Sequence, residues 1–413
     1  MTPAHPIPSG NPPAHPYRWV MLGGVWLVYY CFGLQTAAMA PLVKPVTDDL
    51  GLSYSAMGAV LGAWQLVYIA TALPCGAFLD RVGLRRALFM SALIMAASGA
   101  LRALAVDHLT LFLAVALFGF GGPLISIGAP KLISQWFVGD ERGLAMGLYI
   151  TGPSLGNITA LALTNSVLMP LADGNWRFVL ATYAAFALGA GIVWLAISSH
   201  EASRTMETTV ADRPKQNQLQ IFTDLVRLRP VRIMLVMSIG IFFFNHALSS
   251  WLPEILRSGG MDAKSAGYWS SVPTAVGIIG ALLIPRLAIP SRRLTILFLL
   301  FVGAASASLL LQSGAGFPLA MGLVMQGLAR SSMMTVSLLV LMEMRDVDSR
   351  NMGAAGGLFF SAAEIGGVLG PLTIGSLSDL TGGFVAGLYL LTGISVALMV
   401  LLWTLRRDGG ANH

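Results

Sequence analysis

The chain has 413 residues, of which 55% are hydrophobic and only 11% are charged, and its mean hydropathy is +0.73. Soluble domains carry about twice this share of charged residues, so the composition excludes an ordinary soluble protein. The net charge of +6 comes from basic residues in loops between apolar stretches, not from a basic groove with interleaved aromatic residues, and it does not indicate nucleic-acid binding.

Apolar segments of about 20 residues, the length that crosses a bilayer core, recur along the whole chain. The pattern predicts an all-α integral membrane protein with twelve transmembrane helices, at residues 18–42, 55–79, 86–105, 109–134, 143–168, 176–198, 232–256, 265–285, 294–312, 316–342, 353–378 and 383–405. We expect a polar N-terminal tail (1–17), a six-helix bundle (18–199), a linker (200–230), a second six-helix bundle (231–405) and a C-terminal tail (406–413).

The basic residues are distributed unevenly between the two sides of this twelve-helix arrangement. One side carries the linker and Arg18, Arg81, Arg85, Arg86, Arg142, Arg286, Arg292, Arg293, Arg345, Arg350, Arg406 and Arg407. The other side carries Lys44, Arg102, Arg177, Arg257 and Lys264. The positive-inside rule then predicts a protein of the inner (cytoplasmic) membrane with both termini in the cytoplasm.

The sequence contains no pattern typical of a metal site, a catalytic site or a nucleotide-binding site. Cys31 and Cys75 both lie inside apolar segments, and no pair of histidines has metal-ligand spacing, so we expect no metal site and no cofactor. No apolar segment presents a nucleophile, a histidine and a carboxylate together, which argues against an enzyme. No phosphate-binding loop of the Gly-x-x-x-x-Gly-Lys-Ser/Thr kind is present either, so transport would be driven by gradients.

Two six-helix halves joined by a basic linker are typical of a transporter with its site between the halves. The loop after the second helix reads Gly76-Ala-Phe-Leu-Asp80-Arg81-Val-Gly83-Leu-Arg85-Arg86. This loop resembles the Gly-x-x-x-Asp-Arg-x-Gly-Arg-Arg/Lys signature of the major facilitator superfamily, with Leu84 at a position that is usually basic. The resemblance implies a monomer of two six-helix repeats and a conformational gate formed by Gly76, Asp80, Arg81, Gly83, Arg85 and Arg86. In such a gate Asp80 would brace the helix that starts near Gly353.

Two further stretches are similar to one branch of that superfamily. Pro130-Lys131-Leu-Ile-Ser-Gln-Trp136-Phe137 and Asn245-His246-Ala-Leu-Ser-Ser-Trp251-Leu252-Pro253 look like the cyanate-permease and nitroimidazole-transporter branch, with looser similarity to monocarboxylate-type facilitators. The fourth helix has Val115 where proton-coupled exporters of the superfamily carry an arginine, which counts against a drug/proton antiporter without excluding one.

Aromatic side chains at helical spacing form the first part of a candidate site. Trp26 and Tyr30 are four residues apart in the first helix, as are Trp64 and Tyr68 in the second, so each pair lies on one helix face. All four residues lie deeper than the interfacial belt that usually holds tryptophan and tyrosine. Ordinary helix packing is the alternative explanation for the cluster.

Arg330 and Glu364 form the second part, because each lies near the middle of an apolar helix. A charge at that depth costs several kcal/mol unless it is paired, hydrated or facing a cavity. Arg330, with Gln326 nearby, is suited to hold a carboxylate in a bidentate grip. Glu364 is a candidate proton carrier, and His246 is a candidate for both proton and substrate binding. A fixed ion pair between Arg330 and Glu364 is the structural alternative.

These features predict a secondary active transporter that moves a small, carboxylate-like organic anion by alternating access. Its partners would be the lipid bilayer and a small-molecule substrate, and proton symport is one of the coupling modes left open. Two alternatives remain at this point. Either the substrate is a zwitterionic or a cationic, choline-like small molecule held by the aromatic residues, or the protein exports small toxic compounds.

Overall fold

The computed structural model describes residues 16–203, 218–342, 344 and 352–410, and all regular secondary structure in these ranges is helical. The first half contains α1 (Arg18–Ala37), α2 (Val43–Leu50), α3 (Tyr54–Val82), α4 (Leu84–Ala103), α5 (His108–Trp136), α6 (Gly139–Tyr149), α7 (Thr151–Leu163), α8 (Met169–Leu171) and α9 (Trp176–Ser198). The rest contains α10 (Gln218–Arg227), α11 (Arg229–Ser258), α12 (Ala263–Leu287), α13 (Arg293–Leu310), α14 (Phe317–Met342), α15 (Met352–Thr381) and α16 (Val385–Gly410).

Eleven helical stretches of the described chain are long and apolar enough to cross a membrane. The twelfth crossing runs through residues 139–171, where α6, α7 and α8 follow one another with a π-helical turn, Thr164–Leu168, before α8. The predicted all-α membrane fold is therefore confirmed. The interruption after Tyr149 coincides with Pro153, which has no backbone N–H to donate to the preceding turn.

Two other regions differ from the predicted helices in more than a small shift of a boundary. The first helix ends at Ala37 rather than residue 42 and is followed by a 3₁₀ turn, Ala40–Leu42, that contains Pro41. The short helix α2 then continues along the end of the bundle. The region predicted as a linker, 200–230, contains the separate helix α10, and α11 begins at Arg229.

Successive crossings run in opposite directions, so the helix ends meet at two faces. Arg18 bonds Glu141 at 2.8 Å and Arg85 bonds Ser199 at 2.8 Å, which groups the ends next to the two termini and the linker. We call this the terminal face. The opposite, distal face is held together by contacts such as the hydrogen bond from Arg177 Nη2 to the carbonyl of Ala105, at 3.0 Å.

Helices that start at the distal face carry their own start signals. The side chains of Ser53, Asp107, Asn175 and Asp262 accept hydrogen bonds from backbone N–H groups of the first turns of α3, α5, α9 and α12. These caps satisfy N–H groups that have no partner within the helix. Hydrogen bonds from the side chain and backbone of Ser265 lower the pKa of Asp262, so this cap is a carboxylate at neutral pH.

Each half packs in the same way around its own helices. In the first half α1 packs on α7 and α9, α3 on α5, and α4 on α5 and α9. In the second half α11 packs on α15, α12 on α14, and α13 on α14 and α16. The halves meet mainly where α3 lies against α15 and α7 against α12, so the space between these two seams is left for a site.

Replacement of Gly33 by alanine is expected to destabilise the first half. A Cβ atom at Gly33 would lie 2.0 Å from the carbonyl oxygen of Pro153 and 2.5 Å from its Cα, so α1 and α7 would have to separate. Overpacking of this kind costs about 1–3 kcal/mol or more. We expect a lower melting temperature for the purified Gly33→Ala protein in detergent.

Gly23→Ala is the matched control, since a Cβ at Gly23 in the same helix meets nothing within 4 Å. Alanine also has a better helix propensity than glycine, by about 1 kcal/mol, so this variant should melt at or slightly above the native temperature. Equal melting temperatures for the two variants would contradict the close α1–α7 packing.

Candidate functional site

A cavity of about 60 Å³ lies between the two halves and extends from mid-depth towards the distal face. Helices α1, α3, α4, α5 and α7 contribute from the first half, and α11 and α14 from the second. Its polar lining consists of Gln35, Thr36, Gln65, Arg102, Asn157, His246, Ser249, Ser250 and Arg330. Its apolar lining consists of Ala37, Met39, Ala40, Leu61, Trp64 and Val115.

Arg330 reaches this cavity from the middle of α14. Its Nη1 lies 3.5 Å from Thr274 Oγ1, and its backbone carbonyl lies 3.5 Å from Asn245 Nδ2. The contact with Thr274 is at the long limit for a hydrogen bond, so it satisfies the guanidinium only weakly, and the contact with Asn245 involves the backbone alone. Within the described residues no carboxylate lies within 4 Å of Arg330, and its charge is available to an anion in the cavity.

Glu364 lies outside the cavity lining but close to it. Its side chain is 6% exposed, and its Oε2 has no hydrogen-bond partner among the described residues. A Cβ atom built on Gly367 would lie 2.7 Å from that oxygen, 3.2 Å from Gln65 Cγ and 3.3 Å from His246 Cδ2. The carboxyl group therefore shares one small region with Gln65 and His246.

A hydrogen bond between the halves runs through this region. Gln65 Nε2 of α3 lies 3.1 Å from His246 Nδ1 of α11. The His246 ring also contacts the Trp64 ring, with centroids 5.9 Å apart. His246 is therefore held by the first half and faces both the cavity and the neighbourhood of Glu364.

The fixed ion pair between Arg330 and Glu364 is absent from the described part of the chain. The alternative assumed that helices adjacent in sequence would also be adjacent in space. Instead, α14 packs chiefly on α12 and α13, whereas α15 packs chiefly on α3 and α11. The two charges consequently belong to different surroundings, one in the cavity and one behind His246.

The predicted aromatic cluster is only partly brought to the cavity. Trp64 lines it, but Trp26 and Tyr30 stack on one another at 5.6 Å and donate hydrogen bonds to Thr151 and Thr159 of α7. These bonds connect α1 to its neighbour in the same half.

Tyr68 and Gln326 also lie away from the cavity lining. The Tyr68 hydroxyl lies 3.1 Å from Ser126 Oγ, on α5. Gln326 is fully buried in α14, and its side-chain amide has no partner among the described residues. Substrate binding by Trp26, Tyr30, Tyr68 and Gln326 stays a prediction, whereas Arg330, His246 and Trp64 do share one cavity.

The distal end of the cavity is closed by contacts between the halves. The carboxylate oxygens of Asp379, at the end of α15, accept hydrogen bonds from the backbone N–H groups of Tyr54 and Ser55 at 3.0 and 2.7 Å. The Tyr54 hydroxyl donates to Glu254 at 2.7 Å, and Glu254 also binds Arg257. Asp379 thus caps the start of α3 from the opposite half.

A model of the Major Facilitator Superfamily matches residues 25–343. The chain belongs to this superfamily. It is 26% identical over 404 residues to a quinolone resistance transporter of Acinetobacter baumannii, covering 91% of each chain. It is 22% identical over 377 residues to the hexuronate transporter of Bacillus subtilis, covering 87% of each. The crystal structure of the nucleoside transporter NupG superposes with a TM-score of 0.77 at 13% identity, covering 95% of this chain and 99% of NupG.

These comparisons confirm the superfamily that the sequence resembles, and this is a family of membrane transporters. They do not reach the finer branch, so the similarity to cyanate permeases and nitroimidazole transporters stays a prediction. The alignments with the quinolone resistance transporter and the hexuronate transporter extend over most of the chain. The protein is therefore a multi-pass membrane transporter.

The superfamily loop at the terminal face is described in part. Gly83, between α3 and α4, has a φ of 84°, a left-handed conformation that favours glycine. Arg85 bonds Ser199, while its backbone carbonyl accepts a hydrogen bond from Trp194, so the loop is anchored to α9. The side chain of Asp80 lies outside the described residues. The gating role of Gly76, Asp80, Arg81, Gly83, Arg85 and Arg86 therefore stays a prediction.

Two residues of this site were not predicted from the sequence. Arg102 was placed on the distal surface, but it is 2% exposed and lines the cavity. Asp379 was not considered, although Gly375-Ser-Leu-Ser-Asp379-Leu-Thr-Gly382 repeats the spacing of Gly76, Asp80 and Gly83. That repeated spacing was the signal that could have identified the distal cap.

Replacement of Asp379 by alanine is expected to favour opening of the distal face. Loss of a helix cap costs about 0.5–2 kcal/mol, equivalent to about a two- to thirtyfold change in the equilibrium between closed and open states. The measurement is labelling of Ser250→Cys, in a background with Cys31 and Cys75 replaced by alanine, with a membrane-impermeant maleimide applied at the distal face. Labelling should be faster in the Asp379→Ala protein.

Asp262→Ala is the matched control for this experiment. It removes a carboxylate cap at the same face, but the cap belongs to α12 itself and does not cross between the halves. The labelling rate should then stay near that of the parent protein. Equal acceleration by both substitutions would mean that local helix fraying, and not separation of the halves, exposes the cavity.

Proposed function

We propose that the protein is a secondary transporter of a small organic anion. The observation that carries the proposal is the guanidinium of Arg330, which faces a cavity between the two halves and has no carboxylate within 4 Å among the described residues. An uncompensated cation at this depth is costly, and a bound anion would remove that cost. A hexuronate transporter among the relatives supports the same substrate class.

The orientation of the protein in the membrane is inferred from the basic residues in its loops. The terminal face carries most of the arginines, including Arg85, Arg86 and Arg142. By the positive-inside rule this face is cytoplasmic, so both termini lie in the cytoplasm of a bacterial inner membrane. The cavity closure by Asp379 then lies on the outer side.

Proton coupling through Glu364 and His246 is part of the proposal. Glu364 is buried, its Oε2 has no hydrogen-bond partner in the described part of the chain, and it lies close to His246. A buried carboxylate with one unpaired oxygen is costly, and a proton is the simplest compensation. Since His246 also lines the cavity, proton uptake and anion binding can influence each other through one side chain.

Export of small compounds is the second candidate. It is supported by the quinolone resistance transporter of Acinetobacter baumannii, at 26% identity. A cationic substrate has less support. The side chains of Trp26 and Tyr30 bond to α7, and of the four aromatic residues predicted to bind substrate, Trp64 is the one that lines the cavity.

The proposal is tested with the full-length protein, purified and reconstituted into liposomes. Small carboxylates, sulfonates, quaternary amines, zwitterions and a fluoroquinolone are compared in uptake and thermal-shift assays. A ligand that binds the folded state raises the melting temperature. We expect anions to raise it and to be transported. A response to quaternary amines alone would overturn the proposal, and a response to the fluoroquinolone alone would favour export.

A further inference from the structure

We propose that the substrate carries two acidic groups, one bound by Arg330 and the other by Arg102. This inference rests on the proposed anion transport and specifies its substrate class. The two arginines line the same cavity, but Arg102 belongs to α4 of the first half and Arg330 to α14 of the second. A dianion of this kind would bridge the halves.

Arg102 is an interior residue despite its position one residue before the end of α4. Its side chain is 2% exposed, so the guanidinium does not extend to the distal surface. Its Nη1 donates to the backbone carbonyl of Gln35 at 3.0 Å, and its Cζ lies 5.3 Å from the centre of the Phe118 ring. Its Nε has no hydrogen-bond partner among the described residues.

Gln35 adds further unused hydrogen-bonding capacity beside Arg102. It is fully buried in α1 and lines the cavity, yet neither atom of its side-chain amide has a partner within the described ranges. A Cβ at Gly99, one turn before Arg102, would lie 2.6 Å from Gln35 Nε2. Buried amides are normally paired, so the unpaired amide of Gln35 shows that polar partners are in short supply beside Arg102.

The charge of the cavity lining favours a substrate with two acidic groups over a substrate with one. The described lining contains the two guanidiniums of Arg102 and Arg330 and no carboxylate, and neither arginine has an ion-pair partner within 4 Å in the described part. A monoanion would neutralise one of them and leave the other buried with its charge. A small dicarboxylate, or a carboxylate joined to a sulfonate, neutralises both.

The arrangement also gives the second acidic group a role in transport. Arg102 and Arg330 lie on different halves, so a ligand that binds both is held best when the halves are close together around the cavity. Binding energy that exists only in the closed arrangement favours closure. A monoanion bound to Arg330 alone provides no such link between α4 and α14.

The first experiment uses the unaltered protein in detergent and in liposomes. The probes are a series of aliphatic dicarboxylates from oxalate to adipate, each paired with its own monoamide, which has the same length but one charge. Loss of one charge-assisted contact should weaken binding about tenfold to a hundredfold. Monoamides that bind and compete as well as the dicarboxylates would overturn the inference of two acidic groups. Uptake of those monoamides would still support the proposed transport of organic anions.

The second experiment tests whether Arg102 binds the second acidic group. In Arg102→Gln the dicarboxylate should fall to the affinity of its monoamide, whereas the monoamide should bind as it does to the unaltered protein. Arg177→Gln is the control, because Arg177 lies on the distal surface and pairs with Asp49. A preference for dicarboxylates that survives in Arg102→Gln would overturn the assignment.

Arg102→Lys covers the case in which the glutamine variant does not fold. It keeps the positive charge but not the two-pronged geometry, so the preference should shrink and not disappear. An unchanged preference would count against direct contact with Arg102. Complete loss of binding to both members of a pair, with a normal melting temperature, would show instead that Arg102 acts only by holding α4 to α1.

Discussion

Replacement of Arg330 by glutamine is expected to lower organic-anion uptake by about 30-fold to more than 1,000-fold. Glutamine keeps a polar, though shorter, side chain at this position and removes the charge that would hold the carboxylate. The loss of a buried charged partner accounts for this range, since it costs about 2–5 kcal/mol. The measurement is initial uptake by proteoliposomes, with the amount of folded protein checked by size-exclusion chromatography and thermal unfolding.

Arg330→Lys and Arg407→Gln complete this test. Lysine keeps the charge without the bidentate fork, so uptake should be intermediate. Arg407 is an exposed arginine at the terminal-face end of α16, stacked on Trp403, and its loss should leave uptake unchanged. Native-level uptake in a folded Arg330→Gln protein would remove the central support for the anion site.

Replacement of Glu364 by glutamine is expected to abolish accumulation driven by a pH gradient while exchange between equal pools continues. Glutamine has nearly the volume of a protonated glutamic acid but cannot take up or release a proton. With one proton per substrate, the unaltered protein should accumulate substrate about tenfold per pH unit of imposed gradient. The variant should show no dependence on the gradient.

Asp173→Asn is the control for Glu364→Gln, because it also removes one carboxylate. Asp173 is exposed in the distal loop before α9, and its φ of 49° is a left-handed conformation that asparagine readily adopts. Its accumulation should match that of the parent protein. Gradient-driven accumulation that persists in Glu364→Gln would assign the proton to another group, with His246 as the next candidate.

The fold followed from the sequence because its determinants are local. Apolar stretches of membrane length set the number of crossings, and residues such as Ser53, Asp107 and Asp262 mark helix starts at the distal face. The differences arose at prolines. Pro41 follows the end of α1, and Pro153 follows the break between α6 and α7, so a continuous helix was expected where the backbone changes its hydrogen bonding.

The site was only partly predictable, because it depends on which helices pack together. Arg330 was identified by its depth within an apolar segment, and depth can be counted along the chain. The fixed ion pair with Glu364, which was one alternative, is absent from the described residues because sequence order does not give spatial order in a bundle. Arg102 was missed for the opposite reason, since its place in the last turn of a helix is also where an arginine reaches the surface and stabilises the helix dipole.

The spacing shared by Gly76, Asp80 and Gly83 and by Gly375, Asp379 and Gly382 places one acidic residue at the end of α3 and one at the end of α15. These two helices pack on each other and run in opposite directions, so the two acidic residues belong to opposite ends of a single helix pair. Asp379 caps the start of α3. A device of the same kind at both ends would give the inward- and outward-facing forms similar free energies. We therefore expect both forms to be populated when no substrate is bound, so that the carrier can take up substrate from either side of the membrane.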